Sequence, residues 1–338
     1  MDKLINVLSI VSKSKFIENT NIIGTLNKQF YNSTTLYDII KDDTYGSRKK
    51  TKLMYASYKG DMKRLRWLFA RNASINIQTI SDTIGQCNTA LMFASAEGNL
   101  NAVCELLSRN ADPNIGRISD DCTCLMWAST KGHLDIVHEL ILYGAKVNTT
   151  RKNGVTALMM SCESGNIKIV NRLLEEGALI NEKTYDFNMT AFMFACQDGH
   201  FDIVEKLLTY ESLNVDIINE DGYDALMLAI EENHSFVVRY ILTKGISVRD
   251  KKYIEIAIKN NDFNMVRELI LYGATVNDRN YLAMIYKNGN DNLLNLLMNY
   301  LVREEKLKLI EEWMNSKVVE KPIEKKVETK KVTKKQKK

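Results

Sequence analysis

A five-residue pattern with methionine in its fourth position recurs along this chain at nearly constant intervals. The six segments are TKLMY at Thr51, TALMF at Thr89, TCLMW at Thr123, TALMM at Thr156, TAFMF at Thr190 and DALML at Asp224. Their methionines are separated by 38, 34, 33, 34 and 34 residues. A period in this range is typical of stacked structural repeats, in which each unit packs against its neighbours. The sequence therefore predicts a solenoid.

Each unit has the pattern of helix, turn, helix and loop. In the unit that begins at Thr123, a break at Gly132 separates two segments with apolar residues at helical spacing. These residues are Leu125, Met126 and Ala128, then Ile136, Val137, Leu140 and Ile141. Thr123 can cap the first helix, and Gly144 stands where a left-handed residue would end the second. Neither helix can bury its apolar stripe alone, so stacking of units must supply the core.

The methionine column has two possible chemical roles. Thioether sulfur is a soft ligand for Cu(I), but the ligands must converge on one ion. Successive repeats lie roughly 10 Å apart, so sulfurs on such a ladder cannot converge. We therefore expect all six to be core residues, with no metal site: Met54, Met92, Met126, Met159, Met193 and Met227.

Composition points to a soluble protein of a reducing compartment. No run of 18 apolar residues occurs, and Asp2 and Lys3 open a segment too polar for a signal peptide. The six cysteines contain no C-x-x-C pair. Cys162 and Cys196 fill the repeat position that holds serine in the first three units, which predicts small buried side chains. We expect a cytoplasmic or nuclear protein with no membrane segment and no secretion.

The units resemble ankyrin repeats, whose common pattern is G-x-T-P-L-H-x-A-A-x-x-G-H-x-x-I-V-x-x-L-L-x-x-G-A-x-x-N. One unit matches it at Gly154, Thr156, Leu158, Gly165, Ile169, Val170, Leu173, Leu174, Gly177, Ala178 and Asn181. The resemblance covers residues 51–278 in seven units, with a half-unit at 280–300. It implies an all-α ankyrin-repeat solenoid with short β-finger loops, so residues 51–300 form the predicted array.

Two departures from the ankyrin pattern are regular. Alanine or cysteine replaces the proline at Ala90, Cys124, Ala157 and Ala191, and methionine replaces the first histidine. In the family that histidine ties adjacent repeats by hydrogen bonds, and here we expect an apolar contact in its place. With the Asn-, Lys- and Ile-rich composition, these departures resemble the ankyrin proteins of giant DNA viruses of amoebae, which would imply a role in host interaction.

No catalytic constellation is found in the sequence. His133, His200 and His234 occupy the turn position of the repeat, which the family fills with histidine for structural reasons. No phosphate-binding G-x-x-x-x-G-K-[S/T] loop and no G-x-S-x-G elbow is present. We predict a protein that is not an enzyme and needs no cofactor.

The resemblance implies a non-enzymatic scaffold that binds a protein partner on the concave ankyrin face, and a monomer is expected. The implied residues at the ends of the first helices are Tyr58, Lys59, Glu97, Lys131, Glu163, Gln197, Asp198, Glu231 and Glu232. Those at the finger tips are Lys152, Asn153, Phe187, Asn188, Glu220 and Asp221. Lysines come early in this row and carboxylates late. A strip of Glu163, Asp198, Glu231 and Glu232 would favour a partner with a basic patch.

Residues 1–50 support two interpretations. Apolar residues at helical spacing predict a helical cap that covers the first repeat, since solenoid ends need covering. The stretch IIGTLNKQFYNS, followed by Leu36 and Tyr37, also resembles the later part of an F-box. That resemblance implies a substrate-recognition adaptor with a ubiquitin-ligase component as partner.

The C-terminal flank consists of a predicted helix at 301–316 and a lysine-rich tail. Residues 317–338 contain ten lysines and three glutamates, a net charge of +7 against +4 for the whole chain. Such a segment has too little apolar surface to fold alone, and we predict disorder. It could serve as a nuclear-import signal, as a nucleic-acid tether or as a solubilising tail. As a predicted partner, nucleic acid ranks behind protein.

Overall fold

The computed structural model describes residues 39–41, 49–78, 88–248, 251–276 and 279–300. These residues form sixteen helices and one two-stranded ribbon, which confirms the predicted all-α repeat fold. The chain divides into two compact units, the first ending at Ala225 and the second beginning at Leu226. In the part of the chain described, no helix has the length and apolarity needed to cross a bilayer.

The first unit contains five helix pairs. Odd-numbered helices are the first helices of their repeats, and even-numbered helices are the second. First helices pack on first helices of the next repeat, and second helices pack on second helices. The helices are α1 Lys52–Lys59, α2 Met62–Phe69, α3 Ala90–Ala96, α4 Leu100–Leu107, α5 Cys124–Lys131, α6 Leu134–Leu142, α7 Ala157–Glu163, α8 Ile167–Glu175, α9 Ala191–Gln197 and α10 Phe201–Leu207.

The second unit contains three helix pairs. Its helices are α11 Ala225–Glu231, whose first residue closes the first unit, α12 Ser235–Thr243, α13 Lys251–Lys259, α14 Phe263–Leu271, α15 Arg279–Asn288 and α16 Asp291–Tyr300. The segment predicted as a half-unit therefore forms a complete pair, α15 and α16, which pack on each other. Gly289, with a left-handed φ of +68°, separates the two helices. Asn290 Oδ1 accepts the Leu293 N–H at 3.0 Å and so caps the start of α16.

The residues before α1 form a hairpin. Strand β1 (Ile39–Lys41) pairs antiparallel with β2 (Lys49–Thr51), so that Ile39 lies opposite Thr51. This hairpin is the β-finger of the first repeat, because Thr51 ends the strand and also caps α1. The predicted helical cap over residues 1–50 is thus corrected at 39–41 and 49–50. Residues 1–38, with the F-box-like stretch, and residues 301–338 lie outside the described residues.

Threonine caps start the first helices of the first unit. The hydroxyl oxygens of Thr51, Thr89, Thr123, Thr156 and Thr190 each accept the N–H of the methionine three residues later, at 3.2–3.4 Å. In the first two repeats the methionine sulfur in turn accepts the threonine N–H at 3.4 Å. In these two repeats the methionine that replaces histidine therefore also completes a helix cap, a polar role that the sequence did not suggest.

The methionine column is buried, as predicted. Met54, Met126, Met159 and Met193 are 1 % exposed, Met92 is 2 % exposed, and Met227 in the second unit is 3 % exposed. Among the described residues, no group of three or more His, Cys, Asp or Glu side chains is arranged to hold a metal.

The predicted burial of Cys162 and Cys196 is confirmed as well. Both thiols are fully buried in the first helices of their repeats. Burial raises the pKa of each thiol well above its usual value, which keeps both of them neutral. They therefore act as small apolar core residues rather than as reactive thiols.

Candidate partner-binding surface

The predicted residues at the ends of the first helices lie at the surface. Lys59, Glu97, Lys131, Glu163 and Asp198 are exposed, and Tyr58 and Gln197 are half-buried. Tyr58 meets Phe93 of the next repeat edge to face, with ring centroids 6.3 Å apart, and Lys59 Nζ lies 4.9 Å from the Tyr58 ring. In the second unit, Glu231 and Glu232 are exposed at the end of α11.

The turn residue of each following repeat holds these helix ends in place. The Asn99 side-chain amide donates to the carbonyl of Tyr58 at 2.9 Å. The rings of His133 and His200 contact the carbonyls of Ala96 at 3.3 Å and Glu163 at 3.0 Å. These bonds satisfy carbonyls that a helix end leaves unpaired. The structural role predicted for His133 and His200 is confirmed.

The turn glycines make room for these contacts. Gly165 has φ +72°, and a Cβ there would lie 2.6 Å from Cε1 of His200. Gly177 has φ +80°, but a Cβ there would meet no heavy atom within 4 Å. Position 165 therefore combines backbone strain with a steric conflict, whereas position 177 has strain alone.

We expect Gly165→Ala to destabilise the protein more than Gly177→Ala. Left-handed backbone strain costs about 1–3 kcal/mol at either site. Displacement of His200 adds about 1–3 kcal/mol at position 165 only. Urea denaturation followed by circular dichroism measures both. Equal losses would show that the His200–Glu163 contact gives way freely and does not fix the helix end.

Main-chain hydrogen bonds join the fingers of the third to sixth repeats. Two of them connect Lys152 N to Asp120 O at 3.0 Å and Tyr185 N to Asn153 O at 2.8 Å. A third connects Glu220 N to Phe187 O at 3.1 Å. The finger tips thus form one hydrogen-bonded row within the first unit.

The finger of the fifth repeat is a closed loop with aromatic residues at its tip. Thr184 N donates to Met189 O, and Met189 N donates to Thr184 Oγ1, both at 3.0 Å. Between them Tyr185 and Phe187 are 64 % and 62 % exposed, and Asn188 adopts φ +54°. Phe187 was predicted from the sequence as a site residue, whereas Tyr185 was not.

Lys152, a predicted tip residue, contacts the neighbouring finger. Its ammonium donates to the carbonyls of Ile118 at 2.7 Å and Ser119 at 3.1 Å on the neighbouring finger. It therefore supports the finger row. Of the other predicted tip residues, Glu220 and Asp221 are exposed, and Asn153 and Asn188 are half-buried.

A charged cluster at the finger bases was missed by the sequence analysis. Asp120 accepts hydrogen bonds from the guanidinium groups of Arg117 and Arg151, and Arg117 lies 5.3 Å from the Trp127 ring. Burial alone would raise the pKa of Asp120, but the two guanidinium groups outweigh burial and hold this pKa well below its usual range. The cluster links the third and fourth fingers.

We expect Asp120→Asn to remove a pH-dependent part of the stability. Because the folded-state pKa of Asp120 is lowered, its contribution is present above the unfolded value of about 4 and is lost as the pH falls. At neutral pH the variant should lose about 1–3 kcal/mol. Urea denaturation between pH 7 and 3 should show this difference shrinking below about pH 4. A constant difference would contradict the ion-pair assignment.

A partly buried apolar column lies beside the charged helix ends. In the first unit, the residue after each core methionine is aromatic or methionine: Tyr55, Phe93, Trp127, Met160 and Phe194. Four of them are half-buried, and Met160 is 9 % exposed. This repeated position is visible in the sequence, but the sequence analysis did not single it out.

This arrangement defines a class of protein, the helical-repeat scaffold with exposed helix ends and finger tips. A family model described as ankyrin repeats in three copies matches residues 91–184 and 178–252, and another, described as ankyrin repeats in many copies, matches residues 53–107. Together they cover more than half of the chain, which belongs to the ankyrin repeat family. Ankyrin repeats indicate a protein–protein interaction scaffold, and the family is typically non-enzymatic. Among curated proteins, none matches the chain.

Proposed function

We propose that the chain binds a protein partner on the first-helix ends and finger tips of the first unit, which we call the binding face. The observation that carries this proposal is the pair of rings at the tip of the fifth finger, Tyr185 at 64 % and Phe187 at 62 % exposed, with Ile218 at 56 % on the sixth finger that is hydrogen-bonded to it. Large apolar side chains exposed together mark interaction sites more often than singly exposed ones do. Large aromatic side chains are also the usual anchors of protein interfaces.

The binding face is held rigid before any partner arrives. The hydrogen bonds on both sides of the fifth finger fix the main chain at Tyr185 and Phe187. The turn residues fix the helix ends that carry Glu163 and Tyr58. A surface that is already ordered loses less conformational entropy on binding, which favours affinity.

The negative charge of the binding face indicates the chemistry of the partner. Glu163 and Asp198 stand on the later first helices, and Glu220 and Asp221 stand on the sixth finger. These carboxylates favour a partner with a basic patch and accelerate its association. Glu231 and Glu232 on the second unit remain predicted contacts.

The test is capture of partners by the intact chain and by two matched variants. The ring variant carries Tyr185→Ser and Phe187→Ser. The control variant carries Leu142→Ser and Tyr143→Ser, which replace exposed apolar residues at the end of α6. We expect the ring variant to lose a protein that the intact chain and the control variant retain. A partner retained by the ring variant and lost by the control variant would assign binding to another surface.

A second candidate function is that of a ubiquitin-ligase adaptor, favoured by the F-box-like stretch IIGTLNKQFYNS. A truncation should stop before Ile39, because strands β1 and β2 pair with each other and β2 leads into the cap of α1. Deletion of residues 1–38 should abolish capture of ligase components and leave capture on the binding face intact. Ligase components that persist without residues 1–38 would exclude this role for the segment.

A further inference from the structure

The second helix of the first repeat carries positive charge that the other second helices of the first unit lack. Four cations lie in α2 or directly after it: Lys63, Arg64, Arg66 and Arg71. No aspartate or glutamate lies within the bounds of α2, whereas α4, α6, α8 and α10 each contain at least one. Positive charge on the second helices is therefore concentrated in the first repeat.

The second repeat extends this positive surface, because α2 packs on α4. Glu105 of α4 accepts hydrogen bonds from Arg109 Nε at 2.9 Å and from Arg66 Nε at 3.4 Å. Asp61 Oδ1 accepts the Arg64 N–H at 3.0 Å and so caps α2. Against these two carboxylates stand five cations, a net charge of +3. With the tryptophan among them, they form what we call the basic patch: Lys63, Arg64, Arg66, Trp67, Arg71 and Arg109.

The cations of the basic patch are available to an external anion. All five are exposed. Within the described part of the chain, neither Lys63 nor Arg64 takes part in an ion pair. An anion that binds these two side chains therefore breaks no internal contact of theirs.

The tryptophan of the basic patch is held by one of the arginines. Trp67 is 48 % exposed, and the guanidinium carbon of Arg71 lies 3.7 Å from the centroid of its ring. Arg71 Nη1 also donates to the Trp67 carbonyl at 3.4 Å. Arg64 precedes Trp67 by three residues and therefore lies on the same side of α2. A partly exposed ring among cations can stack on an unpaired base while the cations contact the phosphates.

The composition of the basic patch disfavours a lipid surface as its ligand. Leu65, Leu68 and Phe69 of α2 are buried in the repeat core, at 7 % exposure or less. A helix that binds a membrane interface needs an exposed apolar face, and Trp67 alone does not provide one.

The same composition fits phosphate groups and bases. Four of the five cations are arginines, whose forked guanidinium matches the geometry of a phosphate. An acidic peptide can pair with these arginines as well, but only a nucleic acid supplies a planar base for Trp67 next to every anion.

We propose that the basic patch binds single-stranded nucleic acid, with phosphates on Lys63 and the arginines and a base on Trp67. A single strand is favoured over a duplex because its bases are open for stacking. Helix α2 has 8 residues, or about 12 Å, so the patch contacts only a few nucleotides. The affinity should therefore be modest and should fall steeply with salt.

This proposal goes beyond the proposed function and does not depend on it. The basic patch lies on second helices, whereas the binding face consists of first-helix ends and finger tips. Loss of partner capture in the ring variant leaves the basic patch unchanged, and absence of nucleic-acid binding leaves the protein partner in place.

The first experiment measures the contribution of the cations. A fluorescein-labelled single strand of about twelve thymidines is titrated with the full chain, and fluorescence anisotropy reports binding. The patch variant carries Lys63→Ala and Arg64→Ala. A charge control carries Lys146→Ala and Lys168→Ala, which remove two exposed cations elsewhere in the first unit. The lysine-rich tail is present in all of these proteins and contributes the same background to each.

The patch variant should bind about tenfold more weakly than the wild-type protein at about 50 mM salt. The slope of log affinity against log salt should become shallower by about 1.4, because two phosphate contacts are lost. The charge control should keep both values, and circular dichroism confirms that both variants are folded.

The second experiment measures the contribution of the ring. Trp67→Ala should weaken binding about fivefold or more, the effect of losing one stacked base. Trp67→Phe keeps an aromatic face and should retain most of the affinity. The thymidine strand should quench tryptophan fluorescence in the wild-type protein, and Trp67→Phe should abolish that quenching.

Four results would overturn the proposal. Equal weakening by the patch variant and the charge control would show unspecific attraction by charge. Equal affinities of Trp67→Ala and Trp67→Phe would show that the ring stacks on no base. Oligoglutamate that displaces the labelled strand as well as unlabelled thymidine of the same charge does would assign the basic patch to an acidic protein. Absence of binding by the full chain would exclude the site.

Discussion

Met159→Ala is expected to lower the free energy of unfolding by about 2–5 kcal/mol, because it empties a fully packed core position. Met159 lies in α7, which packs on α5 on one side and on α9 on the other. Repeat stability is approximately a sum of such nearest-neighbour terms. The weakened contact should therefore split one unfolding transition into two, as measured by urea denaturation with circular dichroism and tryptophan fluorescence.

Met159→Leu is the matched control, since a swap that nearly conserves volume costs less than about 1.5 kcal/mol. Copper should leave the melting temperature of the wild-type protein unchanged, because all six sulfurs are buried core groups and those of Met54 and Met92 accept hydrogen bonds at helix caps. A copper-dependent rise in melting temperature that Met159→Ala abolishes would contradict the packing role.

Reversal of two carboxylates on the binding face is expected to slow partner association at least about tenfold at low salt. The variant carries Glu163→Lys and Asp198→Lys, at the ends of α7 and α9. Both positions are exposed, so the free energy of unfolding should change by less than about 1 kcal/mol. Stopped-flow or surface-based kinetics with the captured partner measures the rate, and salt should diminish the difference.

The control is Glu175→Lys with Glu205→Lys, which introduces the same charge change on the second helices α8 and α10. We expect little effect on association from this pair. If both pairs slowed association equally, overall charge would explain the result. If only the second-helix pair did, the binding face would be assigned wrongly.

The repeat architecture could be predicted because its signals are local and recur. Every threonine cap precedes its methionine by three residues. In each repeat of the first unit, a glycine separates the two helices at the same position of the period. Burial of the methionine column follows from that pattern. The exposure of Lys59, Glu97, Lys131, Glu163 and Asp198 follows from it too, since they precede the turn.

Contacts between fingers could not be predicted in the same way. Arg117, Asp120 and Arg151 meet only because two fingers lie side by side in a particular register, and Arg151 is 31 residues from Asp120. The ammonium of Lys152 reaches the Ile118 carbonyl for the same reason, because the two fingers lie side by side. The first finger was missed because Ile39–Lys41 is short and follows residues with helical spacing. Tyr185 was missed because nothing in its local sequence distinguishes a ring exposed on a fixed loop from one in the core.

Hydrogen–deuterium exchange of the captured complex tests the binding face most directly. Relative to the free protein, we predict slower amide exchange in fingers 183–189 and 217–223 and at the ends of α7 and α9. Exchange in the second helices α8 and α10 should stay the same. Protection confined to α8 and α10, with the fingers unchanged, would contradict the assignment of the partner to the first-helix ends and finger tips.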